Sequence, residues 1–329
     1  MSAADPAAWR ADAIGGRSGL ERRLTSEEVS ALVAAARATG GRPPEDVRRE
    51  DFAAPPIAAL AAGLRHALHH GRGAMLLSGL DPAALPGDLF ARIFRGLGAH
   101  LGEGAIQGPD GGRIARVEKA DNPTGRGTLS DVELGPHTDM HELMALACVS
   151  KAAEGGESML VSAPAVHDRL AATRPELLPA LYEGYWAGVN PAVGGEKPVS
   201  DAKVPIFSRA GGRLSCSYNR YFMHAAAQHL GEALPDALER ALAAFDAVAA
   251  EEGLGARFML EPGEMLFWHN WSCLHARTAF RDAPGARRLL LRLWINAVDG
   301  RDVHPAVAQR ARTMDADHRA AMQRRAARP

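Results

Sequence analysis

The chain has 329 residues, a formal net charge of -1 and 47% hydrophobic residues. This length fits one large domain or two small ones, and the apolar content is ample for a core. A charge near zero argues against nucleic acid as the main partner, because phosphate binding needs a concentrated basic face.

The cysteine spacing and the apolar content of the chain indicate the cellular compartment. Cys148, Cys216 and Cys273 lie far apart with no CxxC pair, which indicates a reducing compartment rather than a disulfide framework. We find no apolar core of a signal peptide and no membrane-spanning stretch of roughly 18 apolar residues. We therefore expect a soluble, cytoplasmic protein without a membrane partner. The basic stretch HRAAMQRRAARP is most simply a solvated helix end or a frayed terminus.

The first third of the chain predicts amphipathic helices. LTSEEVSALVAAARATGG begins with Thr25 and Glu28, which can form a capping box, and ends in two glycines. A second helix fits PPIAALAAGLRHALHHG, where His66, His69 and His70 complement the helix dipole. The short buried strand GAMLLSGL then precedes a third helix, LPGDLFARIFRGLGAHLG.

From residue 113 the pattern changes to short strands separated by turns. The strand candidates are RIARVE, ELMALACVS, SMLVSA, VPIFSRAGGRLSCSYN, ARFMLEPGEMLFW, SCLHARTAF and RRLLLRLWINA. RAGG and EPGE predict hairpin turns, and two helices are expected at APAVHDRLAATRPELLPALYEG and LPDALERALAAFDAVAAEEG. The pattern predicts an α+β chain with an antiparallel barrel or sandwich and helices outside. No internal repeat or linker divides it.

Residues 135–144, GPHTDMHELM, contain two competing metal-ligand spacings. His137 and His141 are four apart, as in a helical zinc site, but the motif HExxH needs a glutamate where Thr138 stands. His137 and Asp139 are two apart and would share one face of a strand. One further histidine would complete a two-histidine, one-carboxylate set, which leaves three positions open on Fe(II). We favour the strand interpretation.

His275 stands out as the third ligand because the strand after it carries arginines. Arg288 and Arg292 are four apart and would share a face of that strand. A buried unpaired charge is costly, and guanidinium forks bind carboxylates, so an inward pair indicates anions nearby. The alternative is that both arginines lie on the outer face.

Taken together, these segments resemble the Fe(II)/2-oxoglutarate-dependent oxygenases of the taurine dioxygenase (TauD/TfdA) family, close to the clavaminate synthase-like branch. The resemblance rests on HTD, AAEGGES and HARTAF…RRLLLRLW, and covers about residues 20–300. It implies a double-stranded β-helix (jelly-roll) core with surrounding helices in one domain, 1–329. Within it, 1–110 would be mainly helical, 111–300 would hold the core with helical insertions, and 301–329 would form a tail.

The resemblance also implies the cofactors and their ligands. It assigns Fe(II) to His137, Asp139 and His275, and the distal carboxylate of 2-oxoglutarate to Arg288 with the hydroxyl of Ser158. The implied reaction consumes O2 and 2-oxoglutarate, releases succinate and CO2, and hydroxylates an unactivated C–H bond. Related halogenases have Gly or Ala at the position of Asp139, so a carboxylate there favours hydroxylation or desaturation over halogenation.

Substrate signals are few. In relatives the position of Arg292 contacts an anionic group, and the polar loop before the metal strand carries Glu118, Asp121 and Asp131, which could meet an amine. Asn219, in SYNRYFMH, belongs to a second candidate pocket wall. We therefore expect a small anionic substrate such as an amino acid or a derivative. Ordinary solvated charge is the alternative for each acidic residue.

Two other functions stay open from the sequence. One is a zinc-dependent hydrolase using His137 and His141, and the other is a non-catalytic jelly-roll binding protein. His141 is either a packed or surface histidine or a contact near the metal or substrate, and Trp268, His269 and Asn270 either line the pocket or pack beneath it. Substrate identity, the carbon attacked and a homo-oligomeric state are not determined by the sequence.

Overall fold

The computed structural model describes residues 5–107, 110–120, 129–189 and 197–326. Its helices are α1 (Ala11–Ile14), α2 (Ser26–Ala38), α3 (Pro55–His69), α4 (Leu89–Leu101), α5 (Ala163–Thr173), α6 (Leu178–Glu183), α7 (Arg220–Leu230), α8 (Asp236–Ala249) and α9 (Pro305–Ala326). Its strands are β1 (Glu21–Arg23), β2 (Ala74–Ser78), β3 (Gly102–Gly104), β4 (Ile114–Val117), β5 (Leu134–His137), β6 (Leu143–Ser150), β7 (Glu154–Gly155), β8 (Ser158–Ser162), β9 (Phe207–Ala210), β10 (Arg213–Cys216), β11 (Ala256–Phe258), β12 (Met265–His269), β13 (Cys273–Arg277), β14 (Phe280–Arg281) and β15 (Leu289–Ala297). None of the helices in this part of the chain is long and apolar enough to cross a lipid bilayer.

The larger sheet separates a helical layer from the interior. Its order is β1-β2-β12-β6-β15-β3, with β4 also paired to β15, and only β1 and β2 run parallel within it. Because side chains alternate along a strand, Met265 and Phe267 of β12 pack among residues of α2, α3 and α4. Leu266 and Trp268 point to the opposite, inner face.

The smaller sheet faces that inner side. Its order is β11-β8-β13-β5, and every pair is antiparallel. Leu160 and Cys273 of this sheet share one apolar cluster with Leu266 and Trp294 of the larger sheet. Its other face packs against α5 and α8 through side chains that include Val161 and Leu274. The predicted α+β class, with antiparallel sheets and outer helices, is confirmed.

Two predicted elements are wrong. EPGE does not close a hairpin, because β11 pairs with β8 in the smaller sheet while β12 pairs with β2 and β6 in the larger one; the turn joins two facing sheets. The single helix expected across residues 163–184 ends at Thr173 and resumes at Leu178. Pro175 explains the interruption, since a residue before proline disfavours helical geometry.

The C-terminal helix is more deeply packed than its composition indicates. Residues 323–325 are exposed, as expected of a solvated helix end. In the same helix, α9, Met314, Asp315 and His318 are buried. The sequence prediction covered only the solvated end and missed the packed part of this helix.

Candidate active site

Two histidines and one aspartate predicted from the sequence come together between the strands. His137 ends β5 and is the direct register partner of His275 in β13, with ring centroids 4.1 Å apart. His137 Nε2 lies 3.9 Å from Asp139 Oδ1. Ligand-type atoms of all three residues lie within 4.8 Å of one another. We call these three residues the triad.

Asp139 reaches the triad from a turn and not, as predicted, from the strand of His137. Strand β5 ends at His137, and β6 begins only at Leu143. Asn270 fixes the turn: its Oδ1 accepts from Asp139 N at 3.2 Å, and its Nδ2 donates to the carbonyls of Asp139 and His141 at 2.9 Å. His137 and Asp139 therefore come together because Asn270 holds the turn between them, and not because they alternate along one strand.

Hydrogen bonds fix the orientation of two triad side chains. His137 Nδ1 donates to the carbonyl of Gly135 at 2.9 Å, which leaves the lone pair on Nε2. Asp139 Oδ2 accepts from Trp294 Nε1 at 2.9 Å. Burial lowers the pKa of His275 to about 3, so its ring is neutral. Burial opposes ionisation of Asp139, yet neighbouring positive groups including Arg292 leave its pKa below the usual value. Two imidazoles and one carboxylate form a donor set suited to a divalent metal.

A small cavity of 60 Å³ adjoins the triad on the side of the two sheets. His137, His275, Ser158, Arg288 and Arg292 are among its lining residues. Ser158 and Arg288 are both buried, so both predicted anion contacts face inward.

Arg288 is a buried cation aimed at this cavity. Its guanidinium lies 5.1 Å over the ring of Phe280, and no described carboxylate forms an ion pair with it. Burial lowers its pKa to about 10, so it stays charged at neutral pH. Burying a charge without a partner is costly, and the side chain is therefore suited to an anionic ligand.

Gly156 makes room for Arg288. Its φ is 81°, in the left-handed region, and an added Cβ would lie 3.2 Å from Arg288 Nε. A side chain here would strain the backbone and crowd the guanidinium. The second glycine of GGES is therefore needed for the backbone conformation and for the space that Arg288 occupies.

A larger cavity of 590 Å³ is lined in part by Met140, the residue after Asp139, and by none of the triad residues themselves. Its wall combines α9, through Gln309, Arg310 and Thr313, with non-strand residues such as Val199. Two triad residues thus line a small sheet-built cavity, and a larger cavity lined by a helix and loops begins at the residue after Asp139.

Residues 40–294 match the family model described as taurine catabolism dioxygenase TauD, TfdA family. The chain belongs to the TauD/TfdA family. It is 31% identical over 247 residues to FR-33289 synthase of Streptomyces rubellomurinus, an alignment covering 71% of this chain and 72% of that protein. As a TauD/TfdA protein it is a dioxygenase that uses Fe(II), 2-oxoglutarate and O2, as the resemblance implied.

Solved structures share the TauD/TfdA fold seen here. An asparagine oxygenase in complex with Fe(II), 3-hydroxyasparagine and succinate superposes with a TM-score of 0.68 at 18% identity, over 84% of this chain and 93% of that one. The non-heme iron oxygenase OrfP, in complex with Fe and alpha-ketoglutaric acid, gives a TM-score of 0.63 at 16% identity, over 84% and 93%. At these identities the likeness concerns the fold.

The three predicted substrate contacts have protein partners in this TauD/TfdA structure. Arg292 donates from Nε to Gln107 Oε1 at 2.8 Å and lies 4.2 Å over the Trp294 ring. Asp131 pairs with Lys119 at 2.6 Å. Asn219 accepts from Phe222 N at 3.4 Å as the N-cap of α7. Their roles in substrate binding stay predictions.

Of the other two acidic residues predicted to meet an amine, only one can be placed. Glu118 pairs with Arg116 at 2.7 Å. Asp121 lies outside the described residues.

His141 lies outside the triad. It is fully buried, its Nε2 lies 3.0 Å from Asp315 Oδ1, and its ring stacks on Trp294 with centroids 5.0 Å apart. The four-residue spacing therefore does not join His137 and His141 at one metal, and the zinc hydrolase has no geometric support.

A second histidine-carboxylate group lies elsewhere in the core. His69, Glu142 and His269 also have ligand-type atoms within 4.8 Å. Glu142 Oε1 accepts from Arg301 N at 3.0 Å and lies 3.2 Å from His269 Nε2. None of the three lines either cavity described above, so this group is not placed to meet a substrate.

Several residues around the triad were not predicted from the sequence. Trp294 could have been predicted, because it stands two positions after Arg292 and so shares its strand face. Arg277, two positions after His275, donates to the carbonyls of Ser130 and Val132 and anchors the segment before β5. Arg310 had no signal, because nothing in the sequence places α9 beside the site.

Proposed function

We propose that this dioxygenase hydroxylates an unactivated C–H bond of a small anionic substrate, such as an amino acid or an amino-acid derivative, with release of succinate and CO2. The observation that carries this proposal is the triad placed beside the buried cation Arg288. A substrate of this class agrees with the amino-acid derivative 3-hydroxyasparagine, which is bound in the similar asparagine oxygenase. We further infer that the two facing sheets form the double-stranded β-helix.

The triad residues His137, Asp139 and His275 would hold Fe(II). The donor set fits: two imidazoles, a carboxylate with one oxygen held by Trp294, and ligand atoms within 4.8 Å. Three protein ligands leave positions for the co-substrate and O2. Bound iron would supply the oxidative chemistry, and the protein fixes the geometry and encloses the site.

Arg288 and Ser158 would hold the distal carboxylate of 2-oxoglutarate. Both are buried and line the same small cavity as His137 and His275. A guanidinium fork can bind a carboxylate through two hydrogen bonds, and the hydroxyl can donate a third. Binding would also neutralise a charge that the described residues leave without a carboxylate.

Turnover with O2 and 2-oxoglutarate tests the function directly. Amino acids, N-acyl amino acids and sulfonates would be screened for substrate-stimulated succinate release, and hits checked by mass spectrometry for one added oxygen atom. We expect at least one anionic class to stimulate succinate release in the wild type but not in His275→Ala. A protein that binds 2-oxoglutarate but never forms succinate would favour the non-catalytic binding protein.

A further inference from the structure

The larger cavity contains a cationic side chain that the proposed co-substrate site does not use. Arg310 of α9 lines this cavity with Met140, Gln309 and Thr313. The volume, 590 Å³, is within the range of about 300–1,000 Å³ typical of small-molecule sites. Met140 directly follows Asp139, and Arg310 is near enough to Asp139 to interact with its charge, so a ligand held by Arg310 would lie on the Asp139 side of the proposed iron site.

The described contacts of Arg310 leave its charge uncompensated. Nη1 donates to Ser217 Oγ at 3.3 Å, and the guanidinium lies 6.0 Å from the Phe222 ring centroid. No described carboxylate lies at ion-pair distance, although Asp139 attracts it from farther away. Burial lowers its pKa to about 10, which still leaves a cation at neutral pH. A charged fork held by a neutral hydroxyl and an aromatic ring has capacity for an anion.

The cavity wall as a whole is positive. Its charged residues comprise four cations and two anions, which leaves a formal excess of two positive charges: Lys197, Arg310, Arg312, Arg324, Asp201 and Asp317. Lys197 pairs with Asp201, and Arg312 donates to the side chain of Gln309 on the same helix. Arg310 also interacts with Asp139.

We propose that Arg310 binds the anionic head group of the primary substrate in the larger cavity and so positions its C–H bond toward the triad. This inference rests on the proposed function and adds a specific residue to it. The head group is an oxyanion, a carboxylate, phosphonate or phosphate, that a guanidinium fork can hold through two oxygens. Arg292, which the resemblance assigned to the substrate anion, lines the other cavity and donates to Gln107.

Anion binding to the Fe(II)- and 2-oxoglutarate-loaded protein under anaerobic conditions tests this assignment. Inorganic phosphate, methylphosphonate and acetate would be titrated by calorimetry into the wild type, Arg310→Met and Arg310→Lys. Arg325→Met is the matched control, because Arg325 lies on the same helix, is exposed and does not line the cavity. The preferred probe identifies the head group as phosphate-like or carboxylate-like.

We expect saturable binding that Arg310→Met weakens by about 10-fold or more, the size expected for loss of a charge-assisted contact. Arg310→Lys should retain part of the affinity, and Arg325→Met all of it. The visible charge-transfer band of the iron chelate should persist in every variant, which shows a folded, loaded site. Equal affinity in the wild type and Arg310→Met, or no saturable binding by the wild type, would overturn the inference. Absence of the band in the wild type would instead overturn the proposed function.

Discussion

The two cavities beside the triad are built from different kinds of structure. The small one lies between facing sheets, with Ser158 at the start of β8 and Arg288 directly before β15. The large one is lined by α9 and by non-strand segments near residues 187–189 and 199–202. A hydrogen-bonded sheet fixes side chains more tightly than loops do. We infer that 2-oxoglutarate binds in the small cavity between the rigid sheets. The primary substrate would be recognised in the large cavity, whose loops can vary more freely in sequence.

The strongest test of this division is Arg288→Met. Removing the guanidinium should raise the KM for 2-oxoglutarate by roughly 10- to 100-fold, because hydrogen bonds to charged groups contribute about 1.5–3 kcal/mol. Anion binding at Arg310 should be unchanged. Steady-state succinate release measures the first quantity, and calorimetry the second.

Arg287→Met is the matched control, since Arg287 is adjacent in the chain but exposed. An unchanged KM in Arg288→Met, or an equal rise in both variants, would break the assignment of the small cavity to 2-oxoglutarate.

The next largest effect concerns the triad itself. Trp294→Phe removes the donor to Asp139 Oδ2, and should weaken Fe(II) binding about 10-fold, the lower end for groups that orient a metal ligand. Trp268→Phe makes the same chemical change where Nε1 has no hydrogen-bond partner among the described residues, and should have little effect. Equal losses in both variants, measured by metal titration, would show that packing rather than the hydrogen bond matters.

Gly156→Ala should have a smaller effect on 2-oxoglutarate binding, and this effect should be confined to the small cavity between the sheets. Both Gly156 and Gly212 have positive φ, but an added Cβ meets Arg288 at the first and open space at the second. Each alanine variant should lose about 1–3 kcal/mol of stability through backbone strain. Only Gly156→Ala should also raise the KM for 2-oxoglutarate; a similar rise in Gly212→Ala would argue against crowding of Arg288.

The smallest effect is expected away from both cavities, at Glu142. Burial raises the pKa of this carboxyl. The folded state therefore holds its proton more tightly than the unfolded state does. The resulting stability is complete below the ordinary carboxyl pKa and is lost as pH rises through the raised pKa. Its size is about 1.4 kcal/mol for each pH unit that separates the folded and unfolded pKa values.

Glu142→Gln should remove that part of the pH dependence of the unfolding free energy, measured by denaturant titration across the acid-to-neutral range. An identical pH profile in wild type and variant would show that Glu142 does not titrate as described. The KM for 2-oxoglutarate should not change, since Glu142 lines neither cavity.

The sequence predicted the sheet side of the site better than the helical side, for a physical reason. Strand alternation is local, and the four-residue spacing predicted the shared inward position of Arg288 and Arg292, although Arg288 lies just before β15. The turn that carries Asp139 depends on Asn270, more than a hundred positions away, and no local pattern encodes that contact. The position of Arg310 could not be predicted from a local sequence pattern, because it depends on how α9 packs against the core.

The central claim is that His137, Asp139 and His275 form the iron site beside a 2-oxoglutarate pocket. The most direct measurement is the visible charge-transfer band formed anaerobically with Fe(II) and 2-oxoglutarate, together with bound iron. We predict that His275→Ala loses both, whereas His141→Ala and the exposed-residue variant His229→Ala keep both. Retention of iron and band by His275→Ala would contradict the account.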